Sequence, residues 1–226
     1  MQKTLNSKAK KCQRSELSTT RQRFDIEWHR FQFTEQFGKM DPMTRSHDIG
    51  ALHLDRIVLV PFSPERGEEF EESLDEFRVA GEMHVYAGDF AVAWRGYADF
   101  YDLLSRMKHG GYPKPEIVPM DSYFIEADGR MLGELFLRHR LNTILEKRGG
   151  HIGYKVRPSL RNRGVATAAL RLGLEKLRVI GAERALITCN KNNLASARVI
   201  EKCGGVCIED AILEDHVERR YWVPTI

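Results

Sequence analysis

The segment Gly150-His-Ile-Gly-Tyr-Lys-Val156-Arg-Pro-Ser-Leu-Arg161-Asn-Arg-Gly164-Val-Ala-Thr167 constrains this chain more than any other stretch. A short run containing Ile152, Tyr154 and Val156 reads as a strand that must end by Pro158. A loop carrying Arg161 and Arg163 follows, then Gly164, then a helical pattern that places Ala166, Leu170, Leu174 and Leu177 on one stripe and stops near Gly181. Strand, basic glycine loop and helix start, in that order, make an anion site. The first amides of a helix have no intrahelical partner, the macrodipole adds positive charge there, and glycine lets a phosphate approach the main chain.

Around this centre the chain alternates elements. Residues 56–63 read as a strand closing on Ser63-Pro64, a helix-start signal, with Phe70, Leu74 and Phe77 on one face of the helix that follows. A second helix spans 96–108, and a loop follows at Gly110–Pro115. Strands at 122–127 and 131–137 meet at Asp128-Gly129, a tight-hairpin signal. Residues 141–148 form a short helical or irregular excursion, after which Gly149-Gly150 leads into the central strand. A buried strand at 185–189, a helix at 194–202 ended by Gly204-Gly205, and strands near 206–212 and 217–223 complete the pattern. The order implies an α/β (α+β) domain built on a mixed sheet.

Residues 1–50 differ from the rest. Lys3, Lys8, Lys10, Lys11, Arg14, Arg21 and Arg23 face only Glu16 as far as Arg23, so the segment is expected to be a basic, disordered extension, or else upstream sequence read as coding with Met40 or Met43 as the natural start. A transit peptide or a nucleic-acid-binding arm is the alternative. The net charge of +3 is too small to imply nucleic acid as a partner. No apolar run approaches the ~18 residues of a membrane span. The four cysteines, Cys12, Cys189, Cys203 and Cys207, form neither a zinc pattern nor a disulfide framework, which points to a reducing, cytoplasmic compartment and no metal.

Two familiar phosphate loops are excluded. A P-loop needs Lys-Ser/Thr after its last glycine, where this chain has Val165-Ala166, and a dinucleotide fingerprint needs three spaced glycines, where it has Gly164 alone. What remains is Arg161-x-x-Gly164-x-Ala166 after a strand, with Asn193-x-x-Ser196-x-Arg198 and Glu201-Lys-x-Gly204-Gly205 beyond. This combination resembles the GNAT acetyltransferase superfamily from Gly150 to Gly205, and by element order from about Arg56 to the C-terminus.

The resemblance implies a mostly antiparallel central sheet with a splayed central strand, about four flanking helices, a domain over residues 51–226, and acetyl-CoA as co-substrate. It further implies that main-chain groups of Tyr154, Lys155 and Val156 pair with the pantetheine arm, and that Arg161, Asn162, Arg163, Gly164, Val165, Ala166 and Thr167 cradle the pyrophosphate. Asn193 matches the helix residue that binds the pantetheine region, and either Arg198 or Lys202 is placed to meet the 3′-phosphate. The alternative for Arg161 and Arg163 is a solvated basic turn, and for Asn193 a helix cap, a role compatible with binding.

The family's general base and acid do not carry over, because their positions hold Thr188 and Ile200. The candidates for proton transfer are therefore Glu134 on the preceding strand, His139 in Arg138-His-Arg140, where the flanking arginines should depress its pKa, and Tyr154. His151 lies on the opposite face of the strand from Tyr154, and the Val156 amide is the expected oxyanion donor. Glu68, Glu69, Glu71, Glu72, Asp75 and Glu76 make an acidic face that either attracts a cationic acceptor or is merely solvated. The expected activity is direct acetyl transfer to a primary amine of a small molecule or peptide, with a homodimer compatible; a non-catalytic acyl-CoA sensor is the alternative.

Overall fold

The computed structural model describes residues 52–82, 96–109 and 118–225. The expectations for residues 1–50 and for the Gly110–Pro115 loop lie outside these. Strands β1 (Val58–Pro61), β2 (Met120–Ala127), β3 (Arg130–Arg138) and β4 (Ile152–Val156) form one sheet in that order. Beyond β4 come β5 (Arg184–Asn190), β6 (Val206–Cys207), β7 (Ala211–Ile212) and β8 (Val217–Pro224), which form a second sheet in the order β5-β8-β6, with β7 also on β8. Every ladder is antiparallel. The described residues contain four α-helices: α1 (Gly67–Val79), α2 (Tyr97–Lys108), α3 (Val165–Val179) and α4 (Leu194–Lys202).

Strand alternation decides what each face carries. Phe124 and Phe136 point to one face, where they join Phe70 of α1 and Phe100 and Met107 of α2 in an aromatic core. Leu135 and Ile152 point to the other, where a Cβ on Gly173 of α3 would sit 3.2 Å from each of their side chains. Both faces of β3 are covered, so its run from Met131 to Leu137 is buried throughout. The Asp128-Gly129 hairpin is present, both residues having positive φ (51° and 75°).

The two sheets are joined at one point and part from there. His151 N–H donates to Leu186 O at 2.7 Å, and Leu186 N–H donates to Nδ1 of the His151 ring at 2.9 Å. An imidazole thus stands where a strand carbonyl would, and no ladder joins β4 to β5 beyond it. This is the expected splay of the central strand.

Three local expectations change. Ser63 caps no helix with its side chain; a 3-10 turn at Pro64–Arg66 intervenes, and the Ser63 carbonyl instead accepts from Tyr97 Oη at 2.5 Å. Ala166 is only half-buried, and the buried stripe of α3 is Val165, Ala169, Leu170, Gly173, Leu174 and Leu177. The strand expected near 206–212 is two short pieces, β6 and β7, pairing at different points along β8.

Candidate functional site

The ladder alternation assigns the edges of β4. Arg157 N–H donates to Leu132 O at 3.0 Å and Arg138 N–H to His151 O at 2.8 Å. The hydrogen-bonded pairs with β3 therefore fall on Arg157, Lys155 and Gly153. Tyr154 and Val156 are the intervening pairs, so their N–H and C=O groups point away from β3 into the gap toward β5. Of the three residues expected to offer main-chain groups there, Lys155 is engaged with Glu134 instead.

Past β4 the chain makes a 3-10 turn, Pro158–Leu160, and reaches α3 through two left-handed residues, Asn162 (φ 60°) and Gly164 (φ 85°), on either side of Arg163. The α3 start that follows leaves its first amides without intrahelical partners. The first intrahelical bond here runs from Ala168 N–H to Gly164 O at 3.1 Å. Arg161, Asn162, Arg163 and Gly164 are exposed, while Ala166 and Thr167 are half-buried. Alongside lies an open groove of ≈ 460 Å³ lined by Leu54, Gly164, Thr167, Ala168, Arg171 and Lys202. Arg171 and Lys202 bring two cations to it, and Asp55 brings one carboxylate.

Helix α1 and the residues just after it hold the loop through two arginine–glutamate pairs. Arg157 reaches Glu76 through Nε (2.8 Å) and Nη2 (2.5 Å), and Glu76 also accepts from Ser159 Oγ at 2.8 Å. Burial works against the Glu76 charge, but these donors hold its pKa below the usual value. Arg161 forks onto Glu82, with Nη1 at 2.5 Å and Nη2 at 2.7 Å, and its Nε donates to Val156 O at 3.3 Å. The acidic face of α1 is largely engaged within the fold: Glu69 with Arg66, Glu71 with Tyr97 N–H, Asp75 with Arg78.

The three proton-transfer candidates do not converge. Glu134 is fully buried beneath α1 and α2, opposite Lys155, whose ammonium sits 3.9 Å from the Phe77 ring centroid and whose pKa is lowered by burial. His139, past the end of β3, pairs through Nε2 with Asp121 at 2.7 Å, a carboxylate partner that the flanking arginines did not suggest. Tyr154 projects to the face of α3 and α4, where its hydroxyl meets Ser196 Oγ at 2.9 Å; burial pushes its pKa up. Asn193 is the N-cap of α4, its Oδ1 accepting from Ser196 N–H at 3.0 Å. Of the family's usual acid–base positions, Ile200 is core and Thr188 Oγ1 accepts from Gly149 N–H at 2.9 Å.

Residues that the sequence pattern did not single out complete the surroundings. On the face of Thr188, one strand over and one rung further, lies Glu218, paired in register with Asn190. Its buried carboxylate meets His216 Nε2 at 2.8 Å, and His216 Nδ1 meets Asp215 at 2.7 Å. The hydrogen bond to Glu218, with Asp215 adding to it, raises the His216 pKa. Cys189 lies on the opposite face of β5, and burial pushes its thiol up to about 11. No group of three or more His, Cys, Asp or Glu side chains among the described residues is arranged to hold a metal ion. None of their helices is long and apolar enough to cross a membrane.

A split antiparallel sheet with an anion loop at the gap is the architecture of an acyl-CoA-dependent transferase. Residues 56–206 match the acetyltransferase (GNAT) domain family, and the chain belongs to that family. Among solved structures it is similar to the microcin C7 self-immunity acetyltransferase MccE in complex with acetyl-CoA and AMP (TM-score 0.56, 14% identity, 75% of this chain and 93% of that one). It is also similar to RimJ of Mycobacterium smegmatis in complex with CoA-disulfide (TM-score 0.54, 19% identity, 74% and 80%) and to the ribosomal L7/L12 α-N-protein acetyltransferase RimL in complex with coenzyme A (TM-score 0.53, 14% identity, 75% and 94%). No sequence among curated proteins matches it.

Proposed function

We propose that this chain transfers an acetyl group from acetyl-CoA to a primary amine by direct attack. The observation that carries the reading is the juxtaposition of a β4 edge with no strand partner, offered by Tyr154 and Val156 with only Arg161 Nε on the Val156 carbonyl, with a left-handed loop that opens α3 at Gly164. The loop amides and the Thr167 hydroxyl receive the pyrophosphate, the β4 edge pairs with the pantetheine, and the Val156 N–H polarises the thioester carbonyl.

The donor lies against α3 and α4, so the amine approaches from the opposite face, which carries Thr188 and Glu218. Its nitrogen lone pair attacks the carbonyl carbon; the C–N bond forms as the C–S bond breaks. The ammonium first gives a proton through water to the Glu218 carboxylate; after attack the nitrogen loses its second proton to water, and the departing thiolate takes one from the Tyr154–Ser196 hydroxyl pair, which solvent restores. A lysine-like amine has a pKa of ~10.4, so a carboxylate acting through water is needed near neutral pH.

The test combines purified protein, acetyl-CoA and a panel of small amines, aminoglycosides and peptide N-termini, read as thiol release. One similar structure is named for modifying the N-terminal serine of ribosomal protein L7/L12, which makes peptide N-termini the first acceptors to try. Release with at least one amine is expected, and Glu218→Gln should lower kcat by on the order of 10²-fold with little change in acetyl-CoA affinity. Tight acetyl-CoA binding with no release from any amine would favour a second reading, an acyl-CoA sensor, supported by the commitment of Thr188 and Ile200 to other contacts.

A further inference from the structure

We propose that Glu82 is a built-in competitor for the donor's phosphates, sets the affinity for acetyl-CoA, and is displaced from Arg161 when the donor binds. This rests on the donor assignment above. The two pairs that tie α1 and the residues after it to the loop differ in kind. Arg157 and Glu76 are 17% and 26% exposed, and Glu76 is also bonded to Ser159, so that pair is a fixed part of the fold. Arg161 and Glu82 are 38% and 39% exposed, and among the described residues the Glu82 carboxylate is held by Arg161 alone.

The fork Arg161 presents to Glu82 fits a phosphate as well as a carboxylate, because both offer paired oxygens to a planar guanidinium. An exchange of one for the other at a solvent-accessible position has a low cost. Arg161 also donates to Val156 O, on the edge of β4 that faces the gap, so the same side chain occupies both the phosphate end and the strand end of the donor path. The Phe77 ring, 5.7 Å from the guanidinium, and the Glu82 N–H bond to Phe77 O at 2.8 Å hold both partners in place. Glu82 sits just past the end of α1, where the macrodipole disfavours a carboxylate unless a cation faces it. Lys155 and Glu76 are the other charged groups that bear on the pair.

The experiment is calorimetric titration of acetyl-CoA into the full chain and into Glu82→Gln, Arg161→Ala and the double variant, with Glu82→Ala as a second substitution at the carboxylate. Glu82→Gln and Glu82→Ala should each tighten Kd by about two- to fivefold, the range of an exposed ion pair. In the Arg161→Ala background the Glu82 change should have no effect, which isolates the pair. Unchanged or weaker binding on removing the Glu82 charge overturns the proposal, as does the same tightening without Arg161. If the unaltered chain does not bind acetyl-CoA, the donor assignment fails first and the competitor with it. Binding with no response to Glu82 removes the competitor alone.

Discussion

His151 shows how much one side chain can decide. Its ring nitrogen accepts from Leu186 N–H at the point where the two sheets meet, so the imidazole must be neutral with its proton on Nε2. Burial, with Arg138 nearby, lowers its pKa from 6.5. A histidine whose folded pKa is depressed binds fewer protons folded than unfolded, so its contribution is present above pH 6.5 and is lost as pH falls through the folded value. Thermal unfolding of the full chain should therefore show a midpoint that drops as pH falls below 6.5. His151→Gln, whose amide oxygen can accept the same bond without titrating, should flatten that part of the profile; an unchanged slope would remove the role.

At the level of elements, the gap depends on how closely the chain before β4 passes β5. An added Cβ at Gly150 would lie 2.3 Å from Leu186 O, and its φ is +59°. A β-carbon cannot occupy that space without moving β5, so Gly150→Ala should cost on the order of 2–4 kcal/mol, as backbone displacement at a buried contact does. Urea unfolding measures it directly, and a change under about 0.5 kcal/mol, the scale of neutral surface substitutions, would show that the junction yields.

Element order, the hairpin and the glycine loop were all legible in the sequence, because turn chemistry and apolar periodicity are local. The partners of the loop were not. Glu76 and Glu82 meet arginines 81 and 79 positions away, and nothing in a helical acidic face says which carboxylates will be used. Glu218 was missed for the same reason: its relation to Thr188 exists only in the β5–β8 register. The engagement of Lys155 with β3 also depended on ladder phase, which shifts every residue's role if moved by one.

For the whole molecule, the two half-sheets meet mainly at the His151–Leu186 rung and through α3, which packs on β4 and β3 with Leu170, Leu174 and Leu177 fully buried. A ligand inserted along the β4 edge adds contacts that the unfolded chain cannot make. At 100 times Kd, acetyl-CoA should thus raise unfolding free energy by about 2.7 kcal/mol. A midpoint independent of acetyl-CoA concentration would contradict a site between the sheets.

The sequence was enough to specify the loop that opens α3. A strand stopped by proline, a glycine and a helix start are set by residues next to one another, so they were legible without any distant partner. The acceptor side is different. Which carboxylate shares a face with Thr188, which arginine is already occupied, and which hydroxyl meets Tyr154 depend on strands and helices brought together from across the chain. Pairing and packing alone decide those neighbours, because the backbone bonds and apolar contacts that create them carry no signature in the residues' spacing.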